Sequence, residues 1–293
     1  MSIIKKNISN DRLTEFFNDA YWYHTFDLGN GIVTKGTYDL RATVPLNKFP
    51  GSLEGKSVLD VGTCDGFYAF EFEKLGAKEI LAVDTNRYDG SLPFDPSPSK
   101  IDSFINKHSR ESKEFDKYND IFSLLGLKGS NKLIVLADYW NSIVKFQHCS
   151  VYNLVDLDTK FDFVFCGALM EHLKNPLAAI EQLRSVTKEM CIISLSSALP
   201  ISQFNNKSLR LRLANILLIL FGLKDEVCLS HRDLVLKYVG GGGGGAFFNI
   251  HPSTFSEMVL ASGFSRVEIV NEFGVINQRH SLPNHNVVFH CFV

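Results

Sequence analysis

The chain has 293 residues, of which 45% are hydrophobic and 21% charged, which is ordinary for a globular protein and excludes a disordered or fibrous one. Its 30 Lys and Arg against 32 Asp and Glu give a net charge of −2, so no overall basic field recruits nucleic acid. The start of the chain lacks the apolar stretch of a signal peptide, and the longest apolar run, residues 216–223, is far shorter than the roughly 18 residues that cross a bilayer. The 6 cysteines show no metal-ligand spacing. We therefore expect a cytoplasmic protein with free thiols, no metal site and no membrane span.

Short apolar strands alternate with helices from about residue 53 onward. The strands are predicted at 57–61, 79–84, 146–151, 161–166, 190–197, 265–273 and 286–293. Helices are predicted after the first strand, from Pro176, and over 252–262. Continuous apolar strands separated by helices are typical of a parallel sheet covered on both faces, so we predict a doubly wound α/β fold.

Three stretches depart from this alternation. Residues 1–52 precede the first strand and contain Asn30-Gly31, which favours a tight hairpin turn. Residues 94–130 are polar and predict a surface insertion, and residues 199–246 combine an apolar helix candidate with six consecutive glycines at 240–245. The glycine run fits either a mobile substrate lid or a surface tether. We predict an N-terminal cap over 1–52 and one domain over 53–293 with insertions at 94–130 and 199–246.

The sequence DVGTCDG, residues 60–66, lies between the first strand and its helix. Glycines at such a turn let the backbone approach a ligand closely, and the helix N-terminus offers unpaired N–H groups. Asp84 ends the second strand, where a carboxylate can accept both hydroxyls of a ribose. The dinucleotide fingerprint G-x-G-x-x-G is broken, because Cys64 and Phe67 replace its second and third glycines.

These residues resemble motif I of the class I S-adenosylmethionine-dependent methyltransferases, D/E-x-G-x-G-x-G, with Cys64 in place of the middle glycine. The turn SVYN at 150–153 and the stretch FDFVFCGALMEHLKNP at 161–176 resemble two further features of that superfamily. The segment WYHTFDLGNGIVTKG, residues 22–36, narrows the resemblance to a bacterial group similar to the tRNA wobble-uridine carboxymethyltransferase. The resemblance covers about residues 20–90 and 145–195.

The resemblance implies a Rossmann-like methyltransferase sheet of seven strands with the last one antiparallel, helical cap insertions, and S-adenosyl-L-methionine as cofactor. It places the cofactor against the glycine loop, the end of the second strand, the 150–152 turn and the fourth strand. The implied cofactor-binding residues are Asp60, Gly62, Thr63, Cys64, Gly66, Phe67, Asp84, Thr85, Ser150, Val151, Tyr152 and Cys166. Tyr23 and His24 either close over the cofactor or form an aromatic brace that packs the N-terminal segment onto the sheet.

Methyl transfer from a sulfonium is a direct displacement, so that most of the catalysis is alignment and a general base is secondary. His172 follows the fourth strand at the position from which several O-methyltransferases present a base. Its alternative is a structural histidine that bonds the neighbouring loop. Glu171 is the other candidate for the base.

These features predict an enzyme that transfers a methyl group to O or N of a small molecule in specialised metabolism. An RNA-modifying enzyme is the alternative, although such an enzyme needs a basic surface to follow phosphates. A non-catalytic module that binds S-adenosylmethionine is the third possibility. The sequence does not indicate an oligomeric state.

Overall fold

The structure is a computed structural model that describes residues 1–85, 112–128, 131–196, 236–238, 247–278 and 283–293. The expected lid over 199–246, with its apolar helix candidate and glycine run, therefore lies outside the described residues except for 236–238. Within the described ranges, no helix is both long and apolar enough to span a membrane.

Residues 1–52 form two short helices and four short strands. They are α1 (Ile3–Asn7), α2 (Asn10–Asp19), β1 (Trp22–His24), β2 (Asp27–Gly29), β3 (Ile32–Val33) and β4 (Gly36–Tyr38). β2 and β3 form an antiparallel hairpin whose turn residues Asn30 and Gly31 have φ of 52° and 79°, which confirms the predicted tight turn. β1 and β4 pair in parallel. They approach so closely that a Cβ on Gly36 would lie 2.3 Å from the carbonyl carbon of His24, and only glycine fits there.

The rest of the chain builds a seven-stranded sheet and a small two-stranded one. The large sheet contains β5 (Ser57–Val61), β6 (Glu79–Asp84), β7 (Val144–His148), β8 (Phe161–Gly167), β9 (Thr187–Ser196), β12 (Arg266–Ile276) and β13 (Pro283–Phe292). The small one pairs β10 (Leu236–Tyr238) with β11 (Phe248–Ile250). The helices are α3 (Phe67–Lys74), α4 (Asn119–Leu124), α5 (Lys132–Trp140), α6 (Pro176–Val186) and α7 (Pro252–Ala261).

The large sheet has the strand order β12-β13-β9-β8-β5-β6-β7. Its five strands from β9 to β7 are parallel, and β13 is antiparallel to both of its neighbours. This confirms the predicted seven strands and the antiparallel last strand. Because the parallel strands all end at one edge, the segments that follow β5, β6, β7, β8 and β9 meet there.

The two faces of the sheet are buried in two separate hydrophobic clusters. The first combines side chains such as Phe163 and Phe165 with α2, α3 and α5, and the second combines Val164 and Cys166 with α6 and α7. Successive residues of β8 thus point to opposite covered faces, as expected for a strand buried on both sides. The predicted doubly wound arrangement is confirmed.

Several strand boundaries differ from the prediction, by one to three residues in β8, β12 and β13 and for clear local reasons in β7 and β9. The third strand of the core ends at His148 rather than at residue 151, because the Ser150 hydroxyl accepts a hydrogen bond from Tyr152 N–H and starts a 3-10 turn over Val151–Leu157. The strand predicted at 190–197 begins at Thr187, directly after α6, so that its first residues are polar and carry no apolar signal.

The predicted surface insertion at 94–130 stays a prediction, and the part that the structure describes, residues 112–128, packs one face against the core. Tyr118, Ile121 and Phe122 are at most 1% exposed. The rings of Tyr118 and Phe122 pack edge-on against Phe16 of α2, with centroids 5.0 and 5.7 Å away. Apolar residues at spacings of three and four form a buried helical stripe here although the surrounding sequence is polar.

Candidate active site

The glycine loop, residues 62–66, connects β5 to α3 and folds over the end of β6. The N–H groups of Gly62 and Thr63 both donate to the carbonyl of Val83, at 2.9 and 3.2 Å. Gly62, Cys64 and Gly66 have φ of 74°, 56° and 90°, the left-handed region that favours glycine. Cys64 adopts this region although it is not glycine, so the break in the expected glycine pattern does not change the turn.

Asp84 lies against this loop, as predicted. Its Oδ2 accepts a hydrogen bond from Cys64 N–H at 2.9 Å, and its Oδ1 accepts one from Thr85 N–H at 2.7 Å. The Thr85 hydroxyl donates a third, longer hydrogen bond to Oδ1, at 3.4 Å. A carboxylate has about four acceptor positions, so at least one remains for a hydroxyl donor of a ligand. The arrangement therefore leaves Asp84 able to bind a ribose while it fixes the loop.

Asp60 lies beneath the loop with 2% of its surface exposed. The Thr63 hydroxyl donates a hydrogen bond to Asp60 Oδ2 at 2.6 Å. The side chains of these two predicted site residues are therefore bonded to each other. Burial raises the pKa of the Asp60 carboxyl to about 7, although the Thr63 hydrogen bond favours the charged form. The hydrogen bond between Asp60 and Thr63 thus joins the glycine loop to β5.

The turn at Ser150 reaches the same edge of the sheet. Cys149 N–H donates to the carbonyl of Asp84 at 3.0 Å, which joins the turn to the end of β6. Val151 is buried, whereas the ring of Tyr152 is partly exposed and its hydroxyl accepts a hydrogen bond from Asn175 N–H at 3.1 Å. Ser150 and Tyr152 thus stand beside the expected cofactor position and remain predictions.

The remaining four residues expected to contact the cofactor have different surroundings. Phe67 and Cys166 are buried in the core, and burial raises the pKa of the Cys166 thiol well above its ordinary value. His24 is 7% exposed and packs at 5.4 Å from the Phe67 ring, in agreement with the alternative of an aromatic brace. Tyr23 is 38% exposed, and its ring lies 5.2 Å from that of Tyr38. Their roles toward the cofactor stay predictions.

Glu171 and His172 lie in a 3-10 turn, Met170–His172, shortly after β8. Glu171 is 1% exposed, and neither of its carboxylate oxygens has a hydrogen bond among the residues that the structure describes. Ser196 lies beside this carboxylate and favours its charged form, but burial dominates and raises the pKa of Glu171 to about 8. His172 is about one-third exposed, with its Nε2 3.9 Å from Glu171 Oε1.

Sequence reasoning did not identify Ser196, which lies next to Glu171, or the buried polar side chains that share its face of the sheet. Ser194 and Ser196 alternate on one face of β9, and Asn286 is paired directly with Ser196 on β13. All three are less than 9% exposed. The two serines at alternate positions in the apolar second half of β9 could have indicated this polar environment, since a polar residue on a buried face requires a partner.

The loop fits a nucleoside-containing cofactor. A Cβ at Gly62 would come within 3.1 Å of the Leu169 side chain, so the glycine keeps the surface of the loop free of side-chain atoms. The N-cap residue of α3, Gly66, has no side chain to cap the helix, and the Asp60 carboxylate accepts from the Ala69 N–H in its first turn. The loop, the start of α3 and the Asp84 carboxylate together provide main-chain donors and hydroxyl acceptors at one edge of the sheet.

A family model described as "Methyltransferase domain" matches residues 38–216, which is more than half of the chain. The chain belongs to the methyltransferase domain family. Membership of this methyltransferase family confirms the expected class I S-adenosylmethionine-dependent enzyme class, and with it the expected cofactor.

Curated relatives and solved structures agree with this family. A tRNA U34 carboxymethyltransferase of Campylobacter hominis is 28% identical over 133 residues, 45% of this chain and 33% of that protein. The protein of the same name from Campylobacter fetus subsp. fetus is 24% identical, over 61% of this chain and 56% of that one. The chain thus spans between a third and rather more than half of these relatives.

Among solved structures, the N-terminal domain of EvdMO1, described in the presence of SAH and D-fucose, matches with a TM-score of 0.55 at 13% identity. The match covers 96% of this chain and 94% of that one. The same domain with SAH bound matches with the same TM-score at 11% identity. These likenesses confirm the methyltransferase fold.

Proposed function

We propose that this methyltransferase transfers a methyl group from S-adenosylmethionine to an oxygen or nitrogen of a small-molecule acceptor. The observation that carries the proposal is the carboxylate of Glu171, which is buried and whose two oxygens have no hydrogen-bond partner within the part of the chain that the structure describes. A buried polar group without a partner is costly, so its persistence at the ligand-binding edge of the sheet favours a role toward a ligand. The glycine loop after β5 and the Glu171 turn after β8 follow adjacent parallel strands, which brings the two sites together.

The cofactor supplies a methyl group on a sulfonium, and the glycine loop and Asp84 hold its nucleoside. The acceptor oxygen or nitrogen forms the new bond to carbon as the carbon–sulfur bond breaks, and the acceptor then releases one proton. His172 takes this proton, or Glu171 does above about pH 8, where its carboxyl is ionised. The alignment of the two reactants supplies most of the rate enhancement, and the base contributes about 10²–10⁴-fold.

The buried polar group around Glu171 supports an acceptor that carries hydroxyl groups. Ser196 lies beside this carboxylate, and Ser194 and Asn286 share its face of the sheet, so that the three side chains offer hydrogen-bond donors and acceptors. The presence of D-fucose with the EvdMO1 domain gives one example of a hydroxylated molecule studied with a protein of this fold. A neutral hydroxylated acceptor would satisfy these side chains without burying an unpaired charge.

Modification of the tRNA wobble uridine is the second candidate, because the curated relatives are tRNA U34 carboxymethyltransferases. The net charge of −2 argues against it, since tRNA binding depends on neutralising several phosphates. Filter binding of bulk tRNA across a salt series distinguishes the two. An RNA enzyme would show a steep loss of affinity with salt, whereas a small-molecule enzyme would bind weakly at every concentration.

A transfer assay tests the proposal. The protein is incubated with S-adenosylmethionine labelled on its methyl group, and separately with a metabolite extract or with bulk tRNA. We expect label in the small-molecule fraction, and Glu171→Gln to reduce it while S-adenosylhomocysteine still binds. Label found in tRNA alone would favour the second candidate, and cofactor binding without any transfer would indicate a non-catalytic module.

A further inference from the structure

Asp65 is the one residue of the glycine loop whose side chain turns away from the loop, toward the N-terminal segment. Its Oδ2 accepts hydrogen bonds from the N–H groups of Tyr23 and His24, at 3.0 and 2.9 Å. Its Oδ1 contacts Nδ1 of the His24 ring. Asp65 is 5% exposed and His24 is 7% exposed, so that the three contacts form away from water. Charge-assisted hydrogen bonds of this kind are stronger than neutral ones.

The strand β1, whose residues Tyr23 and His24 are bonded to Asp65, is tightly packed in the core. Trp22, which precedes Tyr23 in β1, is fully buried, and its indole N–H donates to the carbonyl of Phe17 at 3.1 Å. The Trp22 ring lies 5.6 Å from Phe26, which itself packs against Phe67 in the first turn of α3. β1 is therefore a rigid support against which Asp65 can hold the loop.

On the loop side, Asp65 follows directly after Cys64, whose N–H donates to Asp84. Gly66 comes next, and a Cβ there would lie 2.8 Å from the Leu133 side chain. The loop therefore has little freedom to compensate if Asp65 is lost. A change at Asp65 is transmitted through one peptide unit to Cys64 and from there to Asp84, which is expected to bind the ribose.

We propose that Asp65 is a positioning residue that sets the glycine loop for the cofactor by holding it against β1. The N-terminal segment is thereby a part of the cofactor site through the N–H groups of Tyr23 and His24 and through the His24 ring. This inference rests on the proposed function, because it assigns Asp65 a role toward the cofactor of that reaction. A purely structural Asp65 would affect folding stability and leave the cofactor affinity of the folded protein unchanged.

Asp162 provides a matched control at the opposite edge of the sheet. Its Oδ2 accepts hydrogen bonds from the N–H and the hydroxyl of Ser57, both at 2.8 Å, at the start of β5. Asp162→Ala therefore removes a comparable tie between a carboxylate and the main chain, away from the glycine loop. The affinity for S-adenosylhomocysteine is measured by calorimetry on the folded full chain, and stability by urea unfolding.

We expect Asp65→Ala to weaken S-adenosylhomocysteine binding at least tenfold and Asp162→Ala to change it less than twofold. Asp65→Asn, which keeps an oxygen that can accept from both N–H groups, is expected to remain within about threefold of the wild type. His24→Ala keeps the two main-chain bonds and removes the ring contact, and about a threefold loss is expected. His24→Ala therefore tests the contact between the glycine loop and β1 even if Asp65→Ala does not fold.

The possible results distinguish a failure of the positioning role of Asp65 from a failure of the proposed function. If Asp65→Ala and His24→Ala bind S-adenosylhomocysteine within twofold of the wild type, the positioning role is overturned while the proposed function stands. The same conclusion follows if Asp65→Ala does not fold and His24→Ala binds normally. If the wild type itself does not bind S-adenosylhomocysteine, the proposed function fails and the role of Asp65 fails with it.

Discussion

Gly62→Ala tests the cofactor loop, and Gly55→Ala is its matched control. Gly62 has φ of +74° and Gly55 has φ of +73°, so the same left-handed strain of about 1–2 kcal/mol is expected from a Cβ at either position. Nothing lies within 4 Å of a Cβ at Gly55, whereas a Cβ at Gly62 would lie 3.1 Å from Leu169 Cδ2. Gly55 precedes β5, at the opposite edge from the loop.

Both substitutions are therefore expected to lower the free energy of unfolding by about 1–2 kcal/mol, measured by urea denaturation. Only Gly62→Ala is expected to weaken S-adenosylhomocysteine binding, by at least tenfold, because only this Cβ lies in the glycine loop and displaces Leu169. Equal affinities for the two variants would refute the assignment of residues 62–66 to the cofactor.

Three further results are expected. Burial raises the pKa of the Glu171 carboxyl from 4.5 to about 8, so between these pH values the folded protein keeps a proton that the unfolded chain has lost. The free energy of unfolding therefore falls as the pH rises from 4.5 to about 8. Glu171→Gln should reduce this slope in urea unfolding measured from pH 5 to 8; an unchanged slope would exclude the buried carboxyl as its source. On a hydroxyl acceptor, His172→Ala should lower kcat about 10²-fold or more if His172 is the base. Activity within a few-fold of the wild type would transfer that role to Glu171, for which Glu171→Gln should then give the larger loss.

The sequence was sufficient to predict the sheet because each strand carries its own signal. β5, β6 and β8 are short apolar runs, and a run of this kind between helices indicates a buried parallel strand whatever its neighbours are. The position of Asp84 against the glycine loop followed from the same reasoning, since parallel strands end at a common edge. Local pattern thus accounts for the fold and for the cofactor side of the site.

The contacts that sequence reasoning missed join residues far apart in the chain. Asp65 meets His24 across 41 positions, and nothing in the local sequence of either one indicates the other. Glu171 lies beside Ser196, and only the antiparallel pairing brings Asn286 of β13 next to Ser196. Contacts between such distant positions could not be predicted from motifs.

The most direct measurement is a calorimetric titration of the wild-type chain and of Asp84→Ala with S-adenosylhomocysteine. The structure leaves at least one acceptor position on the Asp84 carboxylate for a ribose hydroxyl. We expect one molecule to bind per chain of the wild type, and Asp84→Ala to bind at least tenfold more weakly. No binding to the wild type, with Asp84→Ala indistinguishable from it, would contradict the assignment of this edge of the sheet as a cofactor site.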